Sequence, residues 1–135
     1  MSDIGGSLDA NVLLRLIVRD VPNHTAAALK LLNKPQRYHV ADVAIIETIF
    51  VLERYYEIPR LEIAELIRSL INHPKLIVNR ELFDMAMEIY PHYPKLSCED
   101  CCLSVYAKLN DALPLWTFDS KLSKQGSGLT RLVPS

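Results

Sequence analysis

The stretch Tyr38-His39-Val40-Ala41-Asp42-Val43-Ala44-Ile45-Ile46-Glu47-Thr48-Ile49-Phe50-Val51-Leu52 runs a short apolar segment straight into a long helical one. Tyr38 to Val40 reads as a short strand, and Ala41 to Tyr56 as a long helix. The same alternation continues on both sides. Upstream, Pro22-Asn23-His24 opens a helix through Leu32, which ends near Asn33-Lys34-Pro35 because a residue before proline avoids the α region. Asn11 to Val18 is apolar enough for either a strand or a buried helix. Downstream, Pro59 suits a first helical turn and opens a helix through about Ile71. Leu76-Ile77-Val78 is a strand candidate, Arg80 to Ile89 a helix, and Pro91 and Pro94 break the chain. Ser97 starts a helix to about Leu109, Leu115-Trp116-Thr117-Phe118 is a strand ending at Asp119, and Leu129 to Val133 is a final strand candidate. Short strands alternating with helices predict an α/β fold, a central and largely parallel sheet of about four or five short strands flanked by helices.

The 135 residues suit one domain covering 1–135. Half of them are hydrophobic and 23% are charged, a balance that excludes a disordered chain. Met1-Ser2-Asp3 lacks the basic flank and apolar run of a signal peptide. Val40 to Leu52, the most apolar stretch, is interrupted by Asp42 and Glu47 and is too short to span a bilayer. A soluble, cytoplasmic protein with no membrane partner is therefore expected. The net charge is −1, so the chain is not of the strongly basic kind that holds nucleic acid mainly by counterion release. Attraction to RNA would have to come from a local patch and from bound metal ions.

Three cysteines, Cys98, Cys101 and Cys102, are an odd number and lie too close together for a disulfide framework. Cys98-x-x-Cys101 has neither the preceding strand of a thioredoxin-like unit nor a second pair of zinc ligands, and packing is expected for all three thiols. The four histidines are scattered without metal-ligand spacing. No nucleophile elbow and no phosphate-cradling glycine loop is present.

Four acids carry the functional reading. In parallel sheets, ligands bind beyond the carboxyl ends of the strands, and Asp9 and Asp119 each stand just after an apolar strand candidate. Each also has an ordinary explanation: Asp9 suits an N-cap before Ala10, and Asp119 suits the cap of a turn at Ser120-Lys121-Leu122. Asp100 lies three residues after Ser97 and fits a capping box. Glu47 differs, because its helical neighbours Val43, Ala44, Phe50 and Val51 are all apolar. A carboxylate on such a face is expected to be buried, and it then needs a cation, a proton, a hydrogen-bond network or a metal. The structural alternative is a buried pair with Arg15 or Arg54. Taken together, two strand ends, one helix start and one apolar helix face suit convergence on a single cleft. Carboxylates brought that close repel unless a cation compensates. Mg²⁺ and Mn²⁺ accept oxygen ligands and assist phosphodiester hydrolysis.

These segments also carry a family resemblance. Ser7-Leu8-Asp9-Ala10-Asn11-Val12-Leu13-Leu14-Arg15 resembles the opening signature of PIN domains, and Val43 to Leu52 resembles their second acidic helix. Asp100, followed by an apolar helix with Ala107, occupies the place of the third acid. Thr117-Phe118-Asp119-Ser120-Lys121-Leu122 resembles the fourth motif. The match runs in order from about Ser7 to Val133, although Ile4-Gly5-Gly6-Ser7-Leu8 is less apolar than the usual first strand. Among PIN domains, the length and the Asn11-Val12-Leu13-Leu14-Arg15 run look most like VapC toxins. The resemblance implies a PIN-like fold and Mg²⁺- or Mn²⁺-dependent endoribonuclease activity on RNA. It implies that Asp9, Glu47, Asp100 and Asp119 are the catalytic, metal-holding acids. It further implies homodimers and a small cognate antitoxin. Glu99 is the alternative third acid, since adjacent helical residues point about 100° apart and only one of the two faces a cleft. Asn11 and Thr117 are candidate supporting groups.

Competing expectations are a PIN nuclease of RNA processing without an antitoxin, a non-catalytic PIN-like interaction module, and a small-molecule phosphatase. The helix Leu61 to Ile71, with Ile63, Leu66, Ile67 and Leu70, is a candidate dimer face or antitoxin groove, with intramolecular packing as its alternative.

Overall fold

A computed structural model describes residues 3–125 and 129–134. It divides into two compact units, residues 1–80 and 81–135. The first unit holds β1 (Ile4–Ser7), α1 (Ala10–Val18), α2 (Pro22–Leu32), β2 (Arg37–His39), α3 (Asp42–Arg54), α4 (Arg60–Ile71) and β3 (Leu76–Ile77). Its three strands are parallel in the order β1-β2-β3, with Ser7 opposite His39 and His39 opposite Ile77. Two helices lie between successive strands, as a parallel crossover requires. The ladder runs past the strand ends through Leu8 N–H to His39 C=O at 2.9 Å and Val40 N–H to Ile77 C=O at 3.0 Å.

The weak first strand has a packing cause. A Cβ on Gly5 would come within 2.6 Å of the Tyr38 ring, and Gly6 has φ +129°, where side chains are strained. Bare backbone here lets the buried Tyr38 ring lie against β1, with its hydroxyl donating to Leu31 C=O at 3.0 Å. The ambiguous segment from Asn11 to Val18 is helical. Asp9 caps its start, and Leu13 and Leu14 are buried. In α3 the buried residues are Ala44, Ile45, Thr48, Ile49 and Leu52, one stripe at helical spacing. In α4, Ile63, Ile67 and Leu70 are buried and Leu66 is half-buried. Ile63, Ile67 and Leu70 thus serve the protein's own packing, as the intramolecular alternative has it, while Leu66 and Leu70 also line a groove with Leu16, Ile17 and Leu29.

The second unit holds most of α5 (Arg80–Ile89), a 3-10 turn (Tyr90–His92), α6 (Cys98–Leu109), β4 (Leu115–Thr117), α7 (Ser120–Gln125) and β5 (Thr130–Leu132). β4 and β5 are parallel, with Trp116 opposite Arg131. Phe83, Met87, Tyr90, Leu96, Cys101 and Val105 are almost fully buried. The Thr130 hydroxyl donates to Leu122 C=O at 2.8 Å, tying β5 to α7. All three cysteines are buried and free, in keeping with packing, with the Cys98 and Cys102 sulfurs 4.0 Å apart. The expected parallel strands flanked by helices are present, hydrogen-bonded as a group of three and a group of two. Among the described residues, no helix is long and apolar enough to cross a membrane.

Candidate active site

Asp9 follows the carboxyl end of β1 and begins α1. Its backbone is extended, and its Oδ1 accepts the Val12 N–H at 3.0 Å. The cap explanation is therefore correct, but it occupies one oxygen. Among the described residues the other has no hydrogen-bond or ion-pair partner. Asn11 is exposed in the first turn of α1. With Val12, Arg15, His24, Ala27 and Leu31 it lines a cleft of about 320 Å³ between α1 and α2.

Glu47 departs from expectation: it is exposed, not buried. Its neighbours Val43 and Phe50 are apolar yet themselves 74% and 57% exposed. Helix α3 buries the opposite stripe, so apolar neighbours in sequence did not mean an apolar environment. Nor does Glu47 pair with the arginines considered for it. Arg15 is bound to Asp20 at 2.7 Å and donates to the Tyr56 hydroxyl at 3.2 Å. The Arg54 guanidinium sits 5.4 Å from the centre of the Phe50 ring. Among the described residues, no donor or cation meets the Glu47 carboxylate.

In the second unit, Ser97 and Asp100 form a full capping box. The Asp100 N–H donates to Ser97 Oγ at 3.0 Å, and the Ser97 N–H donates to Asp100 Oδ2 at 3.2 Å. Asp100 is half-buried, whereas Glu99 is exposed and unpartnered among the described residues. Asp119 follows the end of β4 and begins α7. Its Oδ1 accepts the N–H groups of Lys121 at 2.8 Å and Leu122 at 3.4 Å. The Thr117 hydroxyl accepts the Asp119 N–H at 2.9 Å, which fixes the backbone that presents this acid.

The structure thus places the four acids two to a unit. Asp9 and Glu47 lie on helices α1 and α3, which pack together; Asp100 and Asp119 lie on α6 and at the end of β4, which also pack together. Sequence reasoning passed over Asp42, which stands beyond β2 as Asp9 stands beyond β1. The Asn79 side-chain amide, beyond β3, donates to Asp42 Oδ2 at 3.4 Å. The signal for Asp42 was its place after a strand, masked because an acid in a first helical turn is ordinary.

Asp20 differs again from the candidate acids. The Tyr56 hydroxyl donates to it at 2.7 Å and holds its carboxyl below the ordinary aspartate value. Its own backbone and Arg15 act in the same direction, while desolvation opposes them.

Carboxylate oxygens are the right donors for a hard divalent ion, and among the described residues each candidate acid keeps at least one oxygen unengaged. Among the described residues, no three His, Cys, Asp or Glu side chains gather into a metal-holding group. The donor chemistry of the four acids fits such an ion.

The PIN domain family model matches residues 7–127, which takes in all four acids. The chain belongs to the PIN domain family. No curated protein matches it. PIN domains are generally nucleases that use divalent metals, so membership supports a hydrolase. In this PIN domain, three of the four candidate acids accept backbone N–H groups at helix starts, and the Glu47 carboxylate meets no protein group among the described residues.

Proposed function

We propose that this PIN protein is a metal-dependent endoribonuclease, the VapC-like toxin of a type II toxin–antitoxin pair, working in the cytoplasm as one domain over residues 1–135. One observation carries the reading: the family match spans all four acids, and each keeps a carboxylate oxygen that no protein group engages among the described residues. The Asn11-Val12-Leu13-Leu14-Arg15 run and the chain length support the VapC subtype.

In this reading Asp9, Glu47, Asp100 and Asp119 hold Mg²⁺ or Mn²⁺, with Glu99 as the alternative to Asp100. When bound, such an ion supplies charge neutralisation and water activation for phosphodiester hydrolysis. The protein's own part is to hold the acids ready. Val12, Ser97, Lys121 and Leu122 donate backbone N–H groups to three of them, and Thr117 fixes the turn at Asp119. Asn11 is a supporting group near Asp9. The proposed partners are RNA, a second copy of the chain, and a cognate antitoxin.

Cleavage of labelled RNA with Mn²⁺ or with EDTA is the direct test. Asp119→Asn keeps the size of the side chain and most of its capping ability but removes the anionic ligand. Cleavage should fall by roughly a hundredfold or more, since metal assistance commonly supplies several kcal/mol. Undiminished, EDTA-insensitive cleavage by this variant refutes the metal role. For the toxin role, expression of the parent chain should arrest growth, and the product of a gene immediately upstream should relieve the arrest. An absence of arrest by an active enzyme would leave a PIN nuclease of RNA processing.

A further inference from the structure

Two aromatic rings in the second unit stand in water beside Asp119. Trp116 on β4 is 55% exposed, and Phe118, immediately past its end, is 83% exposed. Phe118 sits at the bend that leaves the strand, two residues along the chain from Trp116. Thr117 between them is half-buried and bonded to the Asp119 N–H. Among the described residues, no ring stacking, cation–π contact or hydrogen bond engages the side chain of Trp116 or Phe118.

The segment that carries them differs in charge from the whole chain. From Leu115 to Leu132 the basic residues are Lys121, Lys124 and Arg131, and the only acid is Asp119. Lys121 and Arg131 are exposed, and Arg131 is the cross-strand neighbour of Trp116. An excess of cations along this segment is of the sign that attracts a polyanion, although the chain's net charge is −1. Exposed rings among cations are the ordinary means of holding single-stranded nucleic acid, because every base has a face to stack. A protein partner would also cover exposed apolar groups, but the basic surroundings favour a phosphate backbone.

We propose that Trp116 and Phe118 form a stacking platform for two neighbouring bases of single-stranded RNA, with Arg131 and Lys121 facing its phosphates. This rests on the nuclease reading, with Asp119 as the acid next to the held nucleotides. It assigns to these two residues the holding of unpaired bases, such as those of a loop or an end, that are free to splay onto the rings. Bases within an A-form duplex stay stacked on each other and are excluded from the platform.

Trp116 is the only tryptophan in the chain, so intrinsic tryptophan fluorescence reports this position alone. The full chain is titrated in EDTA with a short single-stranded RNA of mixed sequence and, separately, with the same RNA as a duplex. The expected result is saturable quenching by the single strand and little by the duplex. By anisotropy of the end-labelled RNA, which needs no tryptophan, Phe118→Ala should weaken single-strand binding by about tenfold, Trp116→Ala similarly, and Trp116→Phe should largely restore it. Thermal melts check that these surface variants fold. With Mn²⁺, loss of cleavage in the alanine variants should appear mainly in KM. Absence of quenching, or unchanged affinity in both alanine variants, overturns the platform. So does sedimentation showing that the rings hold a dimer that both alanine substitutions dissociate. Quenching without cleavage leaves the platform standing and sinks the nuclease; normal cleavage by both alanine variants does the reverse.

Discussion

Asp9, at the start of α1, engages the Val12 N–H with one oxygen, whereas Glu47, halfway along α3, meets no donor and no cation among the described residues. Asp100 and Asp119 belong with Asp9, since both accept backbone N–H groups at helix starts. A helix start supplies unsatisfied N–H groups and the positive end of the macrodipole, so an acid there stabilises the fold and is held in place without help from a ligand. The middle of a helix supplies neither. The capped acids therefore have a structural explanation sufficient for their presence, and Glu47 does not. An exposed glutamate between exposed Val43 and Phe50 is the more discriminating witness for function, although its sequence neighbours suggested a different reason for interest.

Glu47→Gln separates the two kinds of acid most sharply. Cleavage should fall by roughly a hundredfold, or about 2.7 kcal/mol of barrier. Stability should stay within about 0.5 kcal/mol, as for surface substitutions that break no structural feature. Cleavage assays and thermal melts on the same preparation measure both. Full activity would remove Glu47 from the site and leave the capped acids to be explained by capping alone.

The capped acids should show a smaller, structural signature. Asp9→Ala leaves a helix-start N–H without its acceptor and should cost about 1 kcal/mol, whereas Asp9→Asn should cost little because Asn caps nearly as well. The Ala variant should melt roughly 2–5 °C lower in EDTA and the Asn variant close to the parent. Equal melting of all three proteins would mean that the Val12 hydrogen bond contributes nothing, and the contrast with Glu47 would disappear.

Asp20 provides the third case, an acid held by a hydroxyl and a cation, and its effect should be the smallest. Its folded value is depressed, so its contribution to stability is present above the ordinary aspartate range and is lost as pH falls through the folded value. Tyr56→Phe removes the hydroxyl that lowers it most. The variant should be slightly less stable than the parent at neutral pH, and the gap should close in acid below the usual carboxylate range. Denaturant midpoints for the two proteins across that range measure the gap. A gap that widens towards acid would mean that Tyr56 acts by packing and not through Asp20.

Much of the framework was readable locally. Pro22, Pro59 and Ser97 mark helix starts through backbone chemistry that needs no distant partner, and α2, α4 and α6 begin within a residue of them. The same holds for the capping roles of Asp9, Asp100 and Asp119. β1 was harder to read because Gly5 makes room for the Tyr38 ring, which arrives from another strand 33 residues further on. The pairing of Arg15 with Asp20 and Tyr56 was equally hidden, since Tyr56 lies 41 positions further on.

The sequence by itself determined the alternation of strands and helices, the acids that follow the strand ends, and the PIN motifs that run through them. These are written in short-range order, where residue type, spacing and capping chemistry act within one or two turns. Only the tertiary structure decided which face of each element meets water. It exposed Glu47, Trp116 and Phe118 and buried Ile63, Ile67 and Leu70. The physical reason is that apolar character states what a side chain gains from burial, while the packing of neighbouring elements determines which side chains receive it.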